Sequence, residues 1–194
     1  MKRLSLYLFL ILFTLQTPSL ADDISDFQIE GMSIGDSALD YFSEDVLKKN
    51  KENWFDTTTF TPIAELYLPS AKVYESFQIA VKTHDKNYRI ESISGFIFYR
   101  NNDLNKCYQQ LNDITDEIEE LFKNVKNLGK DTYKHSYDKS GKSKVTDIVL
   151  RLDNGDEVSI QCVDWAEKYS YIDQLRININ TNEYAIFLQD KAYK

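Results

Sequence analysis

Between Asp103 and Leu128 the apolar residues fall at spacings of three and four: Leu104, Cys107, Tyr108, Leu111, Ile114, Ile118, Leu121, Phe122 and Val125. At about 3.6 residues per turn this gathers one apolar stripe along a helix. Asn102 or Asp103 stands where a cap is needed, and Gly129 stands at the left-handed stop. The other side carries Asp113, Asp116, Glu117, Glu119 and Glu120. A stripe of that length cannot stay in water, so the chain must supply an apolar surface to cover it.

The surface is written in period two. Phe77, Ile79 and Val81 alternate with polar neighbours, and Tyr88 to Tyr99 repeats the pattern beyond a His84–Asn87 turn. Gly95 inside that second strand is a candidate bulge. Val145–Leu152 and Glu157–Trp165 form another hairpin around Asn154-Gly155, read as a two-residue turn. A last strand runs through Leu175, Ile177 and Ile179, and Thr181 caps a closing helix. Upstream, Asp26–Glu30 reads as a short strand, Ala38–Phe42 and Glu44–Lys49 as short helices, and 50–62 shows no period. The fold class is α+β, a mostly antiparallel sheet built from hairpins with one long amphipathic helix on one face. The expected order is β-α-α-β-β-α-β-β-β-α.

The chain opens on Met1-Lys2-Arg3, an apolar run from Leu4 to Leu15, and a small-residue site at Ser19-Leu20-Ala21. This is the pattern of a signal peptide, and the run is too short to span a bilayer. Residues 1–21 are therefore expected to be cleaved near Ala21, leaving 22–194 as a single α+β domain. The expected compartment is periplasmic or secreted, with no transmembrane segment.

The formal net charge is −8, the opposite balance from a nucleic-acid binder, so nucleic acid is not expected as a partner. Two cysteines and two histidines cannot build a zinc ribbon. Gly35-Asp36-Ser37-Ala38-Leu39 resembles the opening of the GDSL hydrolases, which makes Ser37 a candidate nucleophile. The family's Gly-x-Asn-Asp block and its Asp-x-x-His block are missing, and a serine without an oriented base is not activated. Asp36 and Ser37 then read as capping residues for a helix start. Gly141-Lys142-Ser143 lacks the first glycine of a phosphate loop, and Ser136 to Lys139 lacks the partners of an S-x-x-K enzyme. Asp153 to Glu157 is a turn and not a calcium loop. His84 and His135 read as solvated loop residues. No catalytic residue, cofactor or metal site is expected. Lys123–Lys144 is basic in an acidic chain and is suited to a protein or anionic-surface partner.

The string Asp26-Phe-Gln-Ile-Glu-Gly-Met-Ser-Ile-Gly-Asp-Ser-Ala-Leu-Asp-Tyr-Phe-Ser43, with Arg89 to Gly95, Lys134 to Ser143 and Cys162 to Trp165, resembles a group of uncharacterised exported proteins of marine alphaproteobacteria. The resemblance implies a Gram-negative envelope location and no particular activity. Ile29 to Ser33, followed by two short helices, is similar to small outer-membrane assembly lipoproteins, without their lipid-bearing cysteine. The leading expectation is a non-enzymatic exported binding or interaction protein, using a sheet face or the aromatic stretch Trp54–Tyr67. The alternatives are an envelope hydrolase acting through Ser37 and an envelope assembly factor.

Export would place Cys107 and Cys162 in an oxidising compartment, and only one intramolecular pairing exists. Cys107 lies on the helix stripe, and Cys162 shares its strand parity with Val158 and Ile160, so both can face one helix-on-sheet contact. Closing that loop is worth about 4 kcal/mol in the chain-entropy model. Non-reducing mass spectrometry of protein taken from the periplasm should show no free thiol; two free thiols would refute the bridge.

Overall fold

The computed structural model describes residues 23–100, 103–122 and 124–192. The expected signal segment lies outside these residues. Among them, no helix is long and apolar enough to cross a membrane. Helix α1 spans Glu44–Lys49, α2 Leu104–Leu121 and α3 Asn182–Asp190. The strands are β1 (Phe60–Leu66), β2 (Ser76–Lys82), β3 (Ile90–Tyr99), β4 (Lys126–Lys134), β5 (Lys144–Arg151), β6 (Glu157–Asp164) and β7 (Asp173–Asn180). They make one seven-stranded sheet in the order β1-β2-β3-β7-β6-β5-β4, antiparallel at every step. The α+β architecture with hairpin strands is therefore present.

Alternation gives the sheet two unlike faces. Ile79, Ile93, Ile179 and Val158 lie side by side in register, as do Gly95, Ile177, Ile160 and Ile148. α2 packs on this apolar face against β5, β6 and β7. It buries Cys107, Leu111, Ile114, Thr115 and Ile118. The Cys107–Cys162 disulfide joins α2 to β6, with Cα atoms 5.9 Å apart. The β1–β3 end of the same face is covered by Ile24, Ile29, Met32, Ala38, Phe42 and Leu47. A second, smaller core lies on the opposite face, where Phe55, Phe60 and Ala80 meet Tyr184 and Phe187 of α3.

Several expectations need correction. Asp26–Glu30 is not a strand. A 3-10 turn covers Ile24–Asp26, and Glu30 and Gly31 both have positive φ (53° and 83°). Glu30 Oε1 accepts hydrogen bonds from the amides of Lys72, Val73 and Tyr74, so this segment straps the β1–β2 connection instead of joining a sheet. The segment without period ends in β1, where Pro62 is tolerated because β1 is an edge strand. α2 is shorter than the stripe: Phe122 is extended (ψ 118°) and buried, which turns the chain back toward the sheet. Gly129 does not end the helix. It supplies φ 95° at the irregularity between Asn127 and Lys130 in β4.

Gly95 sits in regular register, and the bulge falls between Ala80 and Val81. What Gly95 provides is room, since a Cβ there would lie 2.4 Å from Tyr74 Cδ1. The Asn154-Gly155 turn is one residue longer than expected. Asp153, Asn154 and Gly155 form the loop, closed by Leu152 and Asp156, with Gly155 at φ 90°. Glu117 is half-buried rather than solvated, and burial raises its carboxyl pKa, with Asp113 and Glu120 adding to the rise.

Ile118 is 1% exposed under α2, so Ile118→Ala should cost about 2–5 kcal/mol. The exposed Glu120→Ala should stay within about 0.5 kcal/mol. Equal shifts of the two variants in denaturant melts would contradict the helix phase.

Candidate functional site

Strand parity leaves polar side chains on the face opposite α2. Across the middle strands it carries Gln78, Ser94 and Phe96, then Arg176 and Asn178, then Ser159 and Gln161, then Asp147. These groups hold one another. Ser94 Oγ donates to Asn178 Oδ1 (2.7 Å), and Asn178 Nδ2 donates to Ser159 Oγ (2.8 Å). Arg176 Nη2 donates to Gln78 Oε1 (3.2 Å) and Ser94 Oγ (3.3 Å). Its guanidinium stands 5.2 Å from the centre of the Phe96 ring. Ser94, Asn178 and Ser159 are buried beneath this layer, whereas Gln78, Phe96, Gln161 and Arg176 are half-buried and reach solvent.

At the β4 end, Tyr133 OH donates to Asp147 Oδ2 (3.0 Å). Burial raises the Asp147 pKa, against hydrogen bonds from Tyr133 and Gln161, with Asp131 adding to the rise. Burial likewise raises the Tyr133 pKa, and the Asp147 charge adds to the effect.

One end of this face is built from two connections, the β4–β5 tip (135–143) and the β6–β7 segment (165–172). They meet through aromatic rings. His135 lies 4.3 Å from Trp165, and Trp165 lies 4.8 Å from Tyr171. Tyr137 contacts Tyr169 and Tyr171, whose rings are near-parallel at 5.9 Å. Tyr137 and Tyr171 remain 58% and 53% exposed, more than a ring spent on a core would be. His135 Nδ1 accepts from the Tyr137 amide (3.2 Å). Burial lowers the His135 pKa, and the Arg176 charge lowers it further. The expectation of a solvated loop histidine is thus corrected for His135, while His84 is exposed in the β2–β3 turn.

The tip is shaped around one carboxylate. Asp138 accepts from the amides of Ser140, Lys142 and Ser143 and from the hydroxyls of Ser140, Ser143 and Tyr169. Lys168 Nζ completes the set at 2.9 Å. Burial pushes the carboxyl up, but the hydrogen bonds from Ser140 and Ser143 and the Lys168 ammonium outweigh it. They hold the pKa well below the usual carboxylate range. The Gly141-Lys142-Ser143 and Ser136–Lys139 strings are both parts of this wrap. Ser143 Oγ also accepts from the Ala166 amide (3.0 Å), tying the two connections together.

The remaining residues singled out in the sequence lie elsewhere. Ser37 caps the 3-10 turn Ala38–Asp40 by accepting from the Leu39 amide, and its Oγ donates to Asn87 O (2.7 Å). Asp36 accepts from the Ser33 amide and from Tyr41 OH, so it serves the turn before that cap. The Ser37 hydroxyl thereby holds the N-terminal strap on the β2–β3 turn. Asp153–Glu157 closes a hairpin, where Arg151 Nε donates to Glu157 Oε1 (2.7 Å). Phe55 and Phe60 of the Trp54–Tyr67 stretch are core, and Trp54 and Tyr67 are exposed. Lys123 lies outside the described residues. The rest of the basic segment is β4 and the tip, where Lys130 Nζ lies 5.6 Å from the Tyr108 ring.

No group of three or more metal-ligating side chains occurs among the described residues. A cavity of about 170 Å³ beside α3, lined by Arg151, Glu157, Asn182, Ala185, Ile186 and Gln189, is smaller than typical ligand pockets of about 300–1,000 Å³. No known protein family, curated protein or solved structure matches the chain.

Sequence reasoning missed the aromatic end. Its rings come from two segments about 30 positions apart, Tyr137 and the Trp165–Tyr171 run, and only the antiparallel register of β4, β5 and β6 brings them together. Asp138→Asn should lower the melting temperature at pH 7. A depressed folded pKa stabilises above the unfolded carboxylate value of about 3.9, and that stability is lost as pH falls below it. The gap between wild type and variant should therefore shrink from pH 5 toward pH 2. A gap of constant size over that range would contradict the role given to Asp138.

Proposed function

We propose that the chain is a non-enzymatic exported binding protein of the bacterial envelope, and that it binds through the polar sheet face and its aromatic end. The observation that carries this is the exposure of Tyr137 and Tyr171 beside Trp165 and the fixed Arg176. Aromatic and arginine anchors on a rigid scaffold are the composition of binding hot spots. In this reading α2 is the long amphipathic helix that closes the other face, with Asp113, Asp116, Glu119 and Glu120 in water. The disulfide supports export, as do the opening Met1–Ala21 and the resemblance of residues 26–43 to exported alphaproteobacterial proteins. The hydrolase alternative is not carried forward, because both hydrogen-bonding roles of Ser37 Oγ are spent on the backbone of Leu39 and Asn87.

Incubation with a solubilised Gram-negative envelope fraction should slow amide hydrogen exchange in 133–137 and 165–172 and leave 112–120 of α2 unchanged. A fluorophosphonate should not label Ser37. Labelling of Ser37, or protection confined to α2, would overturn the proposal.

A further inference from the structure

β4 is held unlike any other strand of the sheet. All nine of its residues are exposed, so it buries no side chain in either core. Its ladder to β5 sets Lys126 opposite Arg151, Asp131 opposite Asp147 and Lys134 opposite Lys144, three like-charged pairs among seven. Directly opposite residues share a face at short range, and like charges there destabilise a ladder. No other ladder among the described residues opposes like charges. The same β5 residues meet better partners on their inner side, where Lys144 faces Asp164, Arg151 faces Glu157 and Asp147 faces Gln161. The repulsion is therefore confined to one seam, and β5 belongs to the sheet.

The contacts that keep this seam shut are polar. The Thr132 and Thr146 hydroxyls share a hydrogen bond (2.9 Å), and Tyr133 OH donates to Asp147 Oδ2 (3.0 Å). Asn127 and Lys130 reach Glu119 and Asn112 of α2. None of these bonds is fully buried, so water can replace them when they part. The tip beyond is fixed. Asp138 gathers its donors there, and Ser143 Oγ accepts from the Ala166 amide. An opening of β4 thus hinges where the strand enters the tip, at His135, whose amide donates to Ser143 O (3.0 Å).

We propose that β4 is a gate strand, which opens from β5 along the like-charged seam while the tip and the β5–β7 ladders stay closed. Opening takes Tyr133 off Asp147 and leaves that carboxylate to Gln161, so it alters one border of the polar face. Its bearing on binding rests on the reading above, whereas the opening itself does not. Acid closes the gate. Asp147 is faced by Asp131 and Tyr133 of β4, by Gln161 of β6 and, one strand further, by Arg176 of β7. Burial and the Asp131 charge raise its pKa while β4 is in place. A raised value costs the closed form stability at neutral pH, and the cost is relieved as pH falls through it. Asp138 is held low, so the tip stays fixed over that range.

Amide hydrogen exchange of the protein, with no ligand added, tests this. Amides of 126–134 should exchange faster than those of β6 and β7. Lys126→Gln/Asp131→Asn/Lys134→Gln removes one charge from each pair and should slow β4 by about tenfold, at about two- to fivefold for each pair. Lys139→Gln/Lys142→Gln alters tip charges outside the seam and should leave β4 unchanged. With the intrinsic pH dependence of exchange removed, wild-type β4 should gain protection as pH falls from 7 toward the ordinary carboxylate value of about 3.9. Asp147→Asn should show no such gain. β4 amides as protected as those of β6 would overturn the proposal, as would an opening that takes β6 with it. Unchanged exchange in the seam variant would overturn it, and so would equal slowing in the tip variant, which would mark net charge and not pairing. A wild-type strand that gains nothing on acidification would overturn the closing by acid. If the gate fails these tests while the envelope fraction still protects 165–172, the binding face stands without it.

Discussion

The last strand of the sheet joins its two halves. β1, β2 and β3 form one meander, β4, β5 and β6 another, and the two share no ladder except through β7, which pairs with β3 on one side and β6 on the other. β7 is thus the most non-local element of the chain, and its insertion closes the longest loops. Its alternation decides what each face becomes. Leu175, Ile177 and Ile179 complete the apolar surface under α2, while Arg176 and Asn178 become the centre of the polar face. A slip of one residue would exchange these sets and bury a guanidinium, so the register is strongly specified.

The disulfide fixes the same arrangement from the other side. Cys162 lies opposite Leu175 in β7 and Thr146 in β5 and binds Cys107 near the start of α2. The helix is therefore anchored over the half of the sheet that carries the tip. With one face closed by α2 and the N-terminal strap, and the far end of the other closed by α3, the stretch from Arg176 to the aromatic rings is left to meet solvent. The carboxylate of Asp138 gives that end its shape. It replaces the apolar packing that a loop of lysines and serines lacks with a set of convergent donors.

The parts of the fold legible in the sequence are those where periodicity and local chemistry agree. Ser43 and Thr181 cap α1 and α3 as their positions suggest, accepting from the amides of Val46 and Tyr184. The β2–β3 and β5–β6 hairpins follow from alternation, and the cysteine pairing follows from parity. β4 was not legible, because all nine of its residues are exposed and none repeats an apolar pattern. Its one ladder is with β5, Asn127 and Lys130 reach Glu119 and Asn112 of α2, and its lysines and bulge protect a free edge. β1 was hidden by Pro62 and by a start in polar sequence. The end of α2 was misplaced because Phe122 and Val125 continue the helical spacing although Phe122 has already left the helix. The aromatic end was invisible for another reason. Trp165 reads as the end of a strand, and Tyr169 and Tyr171 fall outside any expected element, until the register brings Tyr137 and His135 beside them.

The central claim is that this polar face, and no other surface, carries the binding function. Amide and indole chemical shifts of the isotope-labelled protein, followed while the solubilised envelope fraction is added, test it most directly. The account expects the Trp165 indole, Tyr137, Tyr171 and the Arg176 region of β7 to move together and saturate, with the outer side of α2 unmoved. Shifts centred on Asp113 to Glu120, or on the Ser37 strap, would contradict it.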